Sequence, residues 1–393
     1  MKKSFILIAT VAAFVTSLQT YAQQNLFISQ DIESAVVNPD NSVTFRFIAP
    51  KAHSVQIAGD FAEVVEDNPI GGMVGTGLID MKEGDNGLWE YTTKPLESEL
   101  YSYMFVVDGI ATIDPNNPHV YRDFGTVNNV FLVGGGQADL YAVKDVPHGT
   151  LSARWYHSDG IGKDRRMNVY TPYGYENSNK RYPVLYLLHG SGGDEDEWVV
   201  FGRACQIMDN LIAQGKAEPM IVVMPNGHAE MQAAPGESSL GYYKPFHFRD
   251  PENKFVGNFM EIVNFIDKNY RTVAKKSGRA IAGLSMGGGH TISISRKYRN
   301  TFDYIGVFSS GIGRGNDVDQ AVLDAEFEQQ KSDGVKLYWI GCGNEDMVYG
   351  SCETLRKELD KVGMQYVYYE NDGGHVWKNW RIYLSLFVPQ LFK

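Results

Sequence analysis

The sequence predicts an α/β fold with a mostly parallel sheet, preceded by an all-β sandwich. In the C-terminal part, short apolar runs alternate with segments of helical periodicity, which is typical of a parallel sheet with helices on both faces. In the N-terminal part, only short runs of alternating polarity occur between turn residues, and this pattern favours a sandwich. The length of 393 residues suits two such domains.

The chain begins with the features of a secretory signal peptide. Met1-Lys2-Lys3 is basic, residues 5–18 are mostly apolar, and small residues flank a cleavage point near Ala22. We therefore expect residues 1–22 to be a signal peptide and the mature protein to be secreted or periplasmic. The apolar stretch is shorter than a comfortable membrane span, and no cysteine lies at the cleavage point. No membrane anchor is expected.

Residues 23–135 carry the alternating runs and are predicted to form the sandwich. The predicted strands are Val43–Phe47, Ser54–Ala58, Leu88–Thr92 and Tyr101–Val107. The pair Asp108-Gly109 is typical of a tight hairpin turn. Residues 136–152 are polar and follow a run of glycines, so they are predicted to be a linker.

Residues 153–393 are predicted to form the α/β domain. Its strands are predicted at Arg166–Tyr170, Val184–Leu188, Met220–Met224, Ala280–Gly283, Tyr304–Phe308, Leu337–Ile340 and Tyr366–Tyr369. Its helices are predicted at Ala204–Ala213, Phe259–Tyr270, Met286–Tyr298, Val318–Gln329, Cys352–Lys361 and Trp377–Phe387. In such a sheet, functional residues gather at the carboxyl ends of the strands.

A G-x-S-x-G pentapeptide, residues 283–287, lies between a predicted strand and a predicted helix. A serine on such a tight turn projects its hydroxyl away from the sheet, and glycines flank it because strand and helix approach closely there. This context predicts that Ser285 is a nucleophile, and the alternative is a structural turn.

A serine nucleophile needs a histidine as its base and an acid that orients the histidine. Asp346 and His375 each follow the carboxyl end of a predicted strand. We expect His375 to take the proton of Ser285 and Asp346 to hold the imidazole. Glu345 and Asp372 stay open as alternatives for the acid, and His375 has the alternative of a loop residue that caps the next helix.

An oxyanion hole needs two backbone N–H donors. We expect one from Met286, directly after the nucleophile, and one from Ser191, in the loop after the strand at residues 184–188. His189, which precedes that loop, is expected to be a buried hydrogen-bonding residue rather than a catalyst.

Four motifs in this order resemble the esterase-D-like α/β-hydrolases, and within them carbohydrate esterase family 1, the feruloyl and acetylxylan esterases. The motifs are Leu187-Leu188-His189-Gly190, Gly283-Leu284-Ser285-Met286-Gly287-Gly288, Gly341-Cys342-Gly343-Asn344-Glu345-Asp346 and Gly373-Gly374-His375-Val376-Trp377. The resemblance implies an α/β-hydrolase fold with Ser285, Asp346 and His375 as catalytic residues. The chain departs from it at Ser191, where relatives often carry an apolar residue, and at Val376, where many carry an aspartate.

The sandwich resembles the glycan-binding immunoglobulin-like modules of glycogen-branching enzymes, known as carbohydrate-binding module family 48. The likeness lies in Tyr103–Gly109, Asp114-Pro115 and Gly125–Asn129. Those modules stack two tryptophans on the sugar and add a lysine, whereas the matching positions here are Val64, Ala111 and Met104. We therefore expect an immunoglobulin-like sandwich that is structural or roofs the active site, and the alternative is an independent glycan binder.

Residues 228–255 form a long connection in which aromatic residues cluster. Long connections in compact domains are often functional, and aromatic side chains suit a flat acyl group. We expect a lid or pocket wall here, with a surface loop packed on the core as the alternative. The residues expected to contact substrate are Trp198, Tyr242, Tyr243, Phe246 and Trp377.

Composition bears on cofactors and partners. The net charge is −11 and the chain has no basic run, so nucleic acid is not expected as a partner. No group of His, Cys, Asp or Glu has metal-ligand spacing, so no metal and no cofactor are predicted. The three cysteines are Cys205, Cys342 and Cys352. Simple buried thiols are favoured over a bridge between the last two.

The resemblance implies a secreted serine esterase that removes feruloyl, or alternatively acetyl, side groups from plant xylan. Its partner would be the cell-wall polysaccharide or its oligosaccharides. A siderophore esterase of the enterobactin type is a second hypothesis, because those esterases also place a sandwich before a related hydrolase. A glycan-binding protein without activity is disfavoured, since a serine, an acid and a histidine are all present.

Overall fold

The N-terminal part of the protein is built only of antiparallel strands. The computed structural model describes residues 32–63, 77–123, 126–229, 253–313 and 319–393. The strands are β1 (Val36–Val37), β2 (Val43–Ile48), β3 (Val55–Gly59), β4 (Ile79–Asp80), β5 (Lys82–Glu83), β6 (Leu88–Thr92), β7 (Glu99–Val107), β8 (Ile110–Thr112), β9 (Val120–Asp123) and β10 (Thr126–Val133). One sheet has the order β1-β2-β6-β5, and the other has the order β4-β3-β7-β10-β9 with β8 paired to β7.

The two sheets pack face to face around an aromatic core. Phe45 from β2 lies 4.8 Å from Tyr103 of β7 and 5.4 Å from Phe131 of β10, measured between ring centroids. Side chains point alternately to the two faces along a strand, so Tyr101, Tyr103 and Phe105 of β7 contact this core while Leu100 on the opposite face belongs to a core cluster of the C-terminal domain. At the hairpin between β7 and β8, Asp108 and Gly109 both have positive φ, 47° and 83°. The predicted sandwich and its hairpin turn are confirmed.

A second, mixed sheet forms the C-terminal part. Its strands are β11 (Thr150–Ser158), β12 (Lys163–Thr171), β13 (Val184–Leu188), β14 (Ile221–Pro225), β15 (Arg279–Leu284), β16 (Tyr304–Phe308), β17 (Leu337–Gly343) and β18 (Val367–Asn371). Their order is β11-β12-β14-β13-β15-β16-β17-β18. The pairings of β12 with β11 and β14 are antiparallel, and the remaining pairings are parallel. This is the mostly parallel sheet that was predicted.

Helices cover both faces of this sheet. They are α1 (Glu197–Val200), α2 (Ala204–Ala213), α3 (Lys254–Gly257), α4 (Phe259–Asn269), α5 (Met286–Lys297), α6 (Gln320–Ser332), α7 (Tyr349–Lys361) and α8 (Trp377–Phe387). One buried cluster contains residues of the five helices from α3 through α7 and alternate strand residues such as Tyr186. A second cluster contains residues of α1, α2 and α8 and the other strand residues, such as Leu185. Because β13 alternates between the two clusters, every residue in it is buried.

The sandwich packs on the face that carries α1, α2 and α8. Leu100, Tyr121 and Val130 of the sandwich belong to the same buried cluster as those helices. Contacts join the described residues from Glu33 to Lys393 into one compact unit. In the described part of the chain, no helix combines the length and the apolar character needed to cross a bilayer.

The segment predicted to be a linker, residues 136–152, is packed against the rest of the protein. It contains the 3₁₀ helix Gln137–Leu140, and the side chains of Ala138 and Tyr141 are fully buried. Strand β11 begins inside this segment, at Thr150. The predicted signal peptide, residues 1–22, lies outside the described residues.

Candidate active site

Ser285 lies on a strained turn between β15 and α5. Its backbone has φ 51° and ψ −117°, a combination that side-chain-bearing residues rarely adopt. The glycines on both sides are required by contact: a Cβ on Gly283 would lie 2.4 Å from the carbonyl of Gly287, and a Cβ on Gly287 would lie 2.5 Å from the carbonyl oxygen of His189. Strand β15, helix α5 and the end of β13 therefore approach too closely for side chains at these positions.

Ser285, His375 and Asp346 form a continuous hydrogen-bonded line. The distance from Ser285 Oγ to His375 Nε2 is 2.9 Å, and the distance from His375 Nδ1 to Asp346 Oδ1 is also 2.9 Å. Asp346 follows β17 and His375 follows β18, and backbone hydrogen bonds such as Glu345 N–H to Gly373 O tie these two loops together. This geometry allows His375 to accept the serine proton while Asp346 accepts the Nδ1 proton.

Asp346 is the carboxylate that the structure brings to His375. Burial raises its pKa, but hydrogen bonds from His375 and from the N–H of Val348 at 3.0 Å outweigh burial and hold the pKa below its ordinary value. The two alternative acids are exposed. Asp372 accepts a hydrogen bond from the side chain of Asn344, and Glu345 contributes only backbone contacts to these loops. Because the pKa of Asp346 is lowered, its carboxylate is ionised at neutral pH.

Two buried histidines hold the loop that carries Ser191. His189 Nε2 accepts a hydrogen bond from the N–H of Gly227 at 2.8 Å, so its Nδ1 carries the proton and donates it to Gly190 O at 2.7 Å. Burial lowers the pKa of His189, which keeps this imidazole neutral. His228 Nε2 accepts the N–H of Gly192 at 3.1 Å. His189 is thus a buried hydrogen-bonding residue.

The positions predicted for the oxyanion hole lie on this loop and at the start of α5. Ser191 lines the same cavity as Ser285. Met286 is the first residue of α5, and the first N–H groups of a helix have no acceptor within that helix. They also lie at the positive end of the helix dipole, where a developing negative charge is stabilised.

A cavity of about 660 Å³ opens between the C-terminal domain and the sandwich at Ser285. Ser191, His375 and Trp377 line it from the side of the C-terminal domain. The sandwich residues in its wall include Asp60, Phe61, Leu96, Glu97, Tyr101 and Thr126. Nothing in the sequence pairs these residues with the motifs of the second domain, because the two parts meet only in the tertiary structure. The sandwich therefore forms one wall of the candidate active site.

The described residues that line the cavity carry more acidic than basic groups. The acidic ones are Asp60, Glu97, Glu99 and Glu197, and the basic ones are Lys378 and Arg381. Arg381 forms a buried ion pair with Glu99 at 2.9 Å, and Lys378 lies 3.3 Å from Glu97. Both basic residues are thus already paired with a carboxylate of the sandwich. Among the described lining residues, no unpaired cation faces the cavity.

The five residues predicted to contact substrate are placed differently by the structure. Trp377 lines the cavity. Trp198 does not: it is 1% exposed, donates its indole N–H to Leu188 O at 2.9 Å, and lies under Trp377 at 5.3 Å between ring centroids. The prediction of substrate contact is therefore wrong for Trp198, because packing has buried its ring. Tyr242, Tyr243 and Phe246 lie outside the described residues.

The three cysteines are free thiols, and Cys342 and Cys352 are buried. Burial raises the pKa of Cys205 to about 12, which makes it a poor nucleophile at neutral pH. Over the described ranges, no group of three or more potential metal-binding side chains comes together.

The fold and the site together define an α/β-hydrolase with a serine–histidine–aspartate arrangement. The model of the Esterase family matches residues 158–391, and the chain belongs to this family, as predicted. It is 32% identical over 368 residues to an endo-1,4-beta-xylanase/feruloyl esterase of Xylanibacter ruminicola. That match covers 92% of this chain and 46% of the relative, so the chain spans about half the length of that relative.

Solved structures show the same fold. A CE1 ferulic acid esterase of Anaeromyces mucronatus, in complex with ferulic acid, matches with a TM-score of 0.55 at 24% identity, over 64% of this chain and 93% of that chain. The enterobactin esterase of Shigella flexneri matches with a TM-score of 0.62 at 14% identity, over 88% of this chain and 92% of that chain. The predicted α/β-hydrolase fold is confirmed.

Proposed function

We propose that this protein is a carboxylic ester hydrolase with Ser285 as nucleophile, His375 as general base and Asp346 as the residue that orients it. The observation that carries the proposal is the hydrogen-bonded line through these three side chains, at the cavity wall and on a strained turn. A serine hydroxyl held in this way has its proton acceptor already in place.

The reaction would proceed through an acyl-enzyme. Ser285 Oγ attacks the acyl carbonyl and its proton passes to His375 Nε2, while the N–H groups of Met286 and Ser191 hold the oxyanion. Collapse of the tetrahedral intermediate breaks the ester bond, and His375 returns the proton to the leaving alcohol. Water then attacks the acyl-enzyme with His375 again as base, which releases the acid and restores Ser285. Asp346 remains ionised and stabilises the imidazolium formed in each step.

The substrate would be a feruloyl ester on plant xylan or on its oligosaccharides, with an acetyl ester as the alternative acyl group. The similarity to a xylanase/feruloyl esterase supports this substrate. A cavity of about 660 Å³ exceeds the needs of an acetyl group and is within the range for an aromatic acyl group with part of a sugar. Trp377 is only 7% exposed, so the half-buried rings of Phe61 and Tyr101 in the sandwich wall supply most of the aromatic surface for the ring. The exposed carboxylates Asp60 and Glu97 are acceptors for sugar hydroxyls.

A siderophore ester is the second candidate, and the enterobactin esterase fold favours it because that neighbour matches both parts of the chain. The charge of the cavity opposes it. A catecholate siderophore is anionic, whereas the described wall pairs both of its cations with Glu97 and Glu99 and carries two more carboxyl groups, so it offers no excess positive charge. A neutral polyhydroxyl substrate avoids this repulsion.

The sandwich would act as a roof of the active site rather than as a separate glycan binder. Its residues line the cavity at Ser285. Of the positions that would carry sugar-binding side chains, Ala111 is a small side chain on β8 and Met104 is buried in β7. The basic start and apolar stretch within residues 1–22 support secretion or export to the periplasm.

The decisive experiment measures release of ferulate and of acetate from arabinoxylan, with an iron-chelate ester as the third substrate. We expect ferulate release by the wild type and none by Ser285→Ala. Preference for the iron-chelate ester would replace the proposed substrate with a siderophore. Acetate release without ferulate would change only the acyl group.

A further inference from the structure

Strand β9 of the sandwich contacts the loop that carries Ser191. Tyr121 on β9 donates a hydrogen bond from its hydroxyl to Glu197 Oε1 at 2.9 Å, and both side chains are buried. The next residue, Arg122, forms an ion pair with Asp194 at 2.5 Å. Asp194 directly follows the two glycines after Ser191, and Glu197 begins α1 three residues later. The sandwich therefore holds this loop at two points.

The contact with Glu197 reaches the loop backbone directly. A Cβ on Gly193 would lie 1.9 Å from Glu197 Oε2, so the carboxylate packs against the main chain of the loop with no side chain between them. Glu197 Oε2 also lies 3.9 Å from Nδ1 of His189, two residues before Ser191. Glu197 has no room to move without displacing the residues next to Ser191.

Tyr121 is itself held firmly. Its ring stacks on Phe201 with a centroid distance of 4.2 Å and an interplanar angle of 20°. Phe201 lies edge-on to Trp377 at 5.4 Å, and Trp377 lines the cavity. The hydroxyl of Tyr121 is thus presented to Glu197 by packing that would remain if the hydroxyl alone were removed.

We propose that Tyr121 and Arg122 are positioning residues for the oxyanion hole: through Glu197 and Asp194, the sandwich fixes where the N–H of Ser191 points. This inference rests on the proposed function, since it assigns Ser191 to the hole. An N–H donor contributes to catalysis only if it is aimed at the oxyanion, and small displacements of such groups reduce turnover steeply. Tyr121 also lines the cavity, where it is 5% exposed. In this scheme it acts through Glu197 and touches no reacting atom, so a direct contact with substrate would appear as a change in KM alone.

The test compares Tyr121→Phe with the matched control Tyr170→Phe. The hydroxyl of Tyr170 donates to the buried carboxylate of Asp209 at 2.6 Å, at a place that does not line the cavity. Each variant loses one buried hydroxyl-to-carboxylate hydrogen bond and keeps its ring. The measurements are kcat and KM for methyl ferulate, the melting temperature, and the inhibition constant of an aryl boronic acid. A boronic acid forms a tetrahedral adduct with a serine, and the adduct presents an oxygen to the oxyanion hole.

We expect Tyr121→Phe to lower kcat about tenfold, to leave KM within about twofold, and to weaken the boronic acid about tenfold. Tyr170→Phe should change the melting temperature by a similar amount and leave kcat and the inhibition constant unchanged. Arg122→Gln, which removes a partly exposed ion pair, should show the same pattern at about threefold. This second variant keeps the test valid if Tyr121→Phe does not fold.

Wild-type kcat and boronic acid affinity in both Tyr121→Phe and Arg122→Gln would overturn the inference, as would a change in KM alone. Ser285→Ala separates this failure from failure of the proposed function. An inactive Ser285→Ala enzyme beside fully active β9 variants refutes only the positioning role. Turnover in Ser285→Ala refutes the serine mechanism itself. If the wild type hydrolyses none of the esters, the boronic acid constants still compare the variants.

Discussion

Replacing Asp346 with asparagine would remove one negative charge from the hydrogen-bonded line and change little else. Asp346 Oδ1 accepts hydrogen bonds from His375 Nδ1 and from the N–H of Val348, and an amide oxygen in the same place can accept both. The amide nitrogen then takes the position of Oδ2, which is buried and forms no hydrogen bond with the described residues. The hydroxyl of the neighbouring Ser309 can turn to accept a hydrogen bond from it. We therefore expect the variant to fold and to keep the Nδ1–H tautomer of His375.

The structure gives the size of the expected loss of turnover. At the observed separation of 2.9 Å between His375 Nδ1 and Asp346 Oδ1, a unit negative charge stabilises the imidazolium by about 6 kcal/mol, at an effective dielectric constant of about 20. Since each factor of ten in rate corresponds to about 1.4 kcal/mol, turnover should fall by about four orders of magnitude. Asp346 does not line the cavity, so KM should change little.

The assay measures kcat and KM for methyl ferulate and an aryl acetate. Glu345→Gln and Asp372→Asn are the matched controls, because each removes one charge from an exposed carboxylate in the same two loops. We expect near-normal turnover in both. The reasoning is refuted if Asp346→Asn, shown to be folded by its melting temperature, keeps more than about 1% of wild-type kcat. A control that loses as much activity would reassign the acid.

Three further predictions follow from the same contacts. Ser285→Ala should fold normally and lose nearly all ester turnover, and retention of about a tenth of wild-type activity would remove Ser285 from the mechanism. Because the folded-state pKa of Asp346 is lowered, its ionisation stabilises the fold above its ordinary pKa of 3.8, and this stability is lost as pH falls through the folded pKa. The difference in unfolding free energy between wild type and Asp346→Asn should therefore shrink between urea titrations at pH 6 and pH 3, and a constant difference would contradict this. Residues 23–135 alone should not be retained on starch or xylan, and their deletion should impair hydrolysis even of small aryl esters, which fully active truncated enzyme would disprove.

The local patterns of the sequence were sufficient for most elements of both sheets. Helix α2 and helix α8 have the predicted bounds, Ala204–Ala213 and Trp377–Phe387, because each carries a continuous apolar stripe without glycine or proline. Strand β11 was not predicted. It lies at the sheet edge, most of its residues are exposed or half-buried, and Trp155 is 55% exposed. A strand that buries so little apolar surface leaves no clear alternation in the sequence.

The sequence was sufficient to predict which strands carry the residues of the site. Ser285, Asp346 and His375 each follow a strand of one sheet, and the carboxyl ends of parallel strands meet at one edge. The choice among neighbouring carboxylates was not predictable, because burial in a loop depends on backbone hydrogen bonds such as Val348 N–H to Asp346. Tryptophan is a residue type that is common in binding sites, so the sequence favours substrate contact at Trp198. Only tertiary packing shows that Trp198 packs against Trp377 instead.

The sandwich contacts the hydrolase on both sides of Ser285, and this bears on how the site evolves. On one side, Glu99 pairs with Arg381 on α8, the helix that begins directly after the loop of His375. On the other side, Tyr121 holds the loop of Ser191 through Glu197. A buried ion pair broken by loss of one partner leaves an uncompensated charge, so Glu99 and Arg381 cannot change independently. We therefore expect substitutions at cavity residues outside these two contacts, such as Phe61 and Leu96, to alter substrate binding without moving Ser285 or His375.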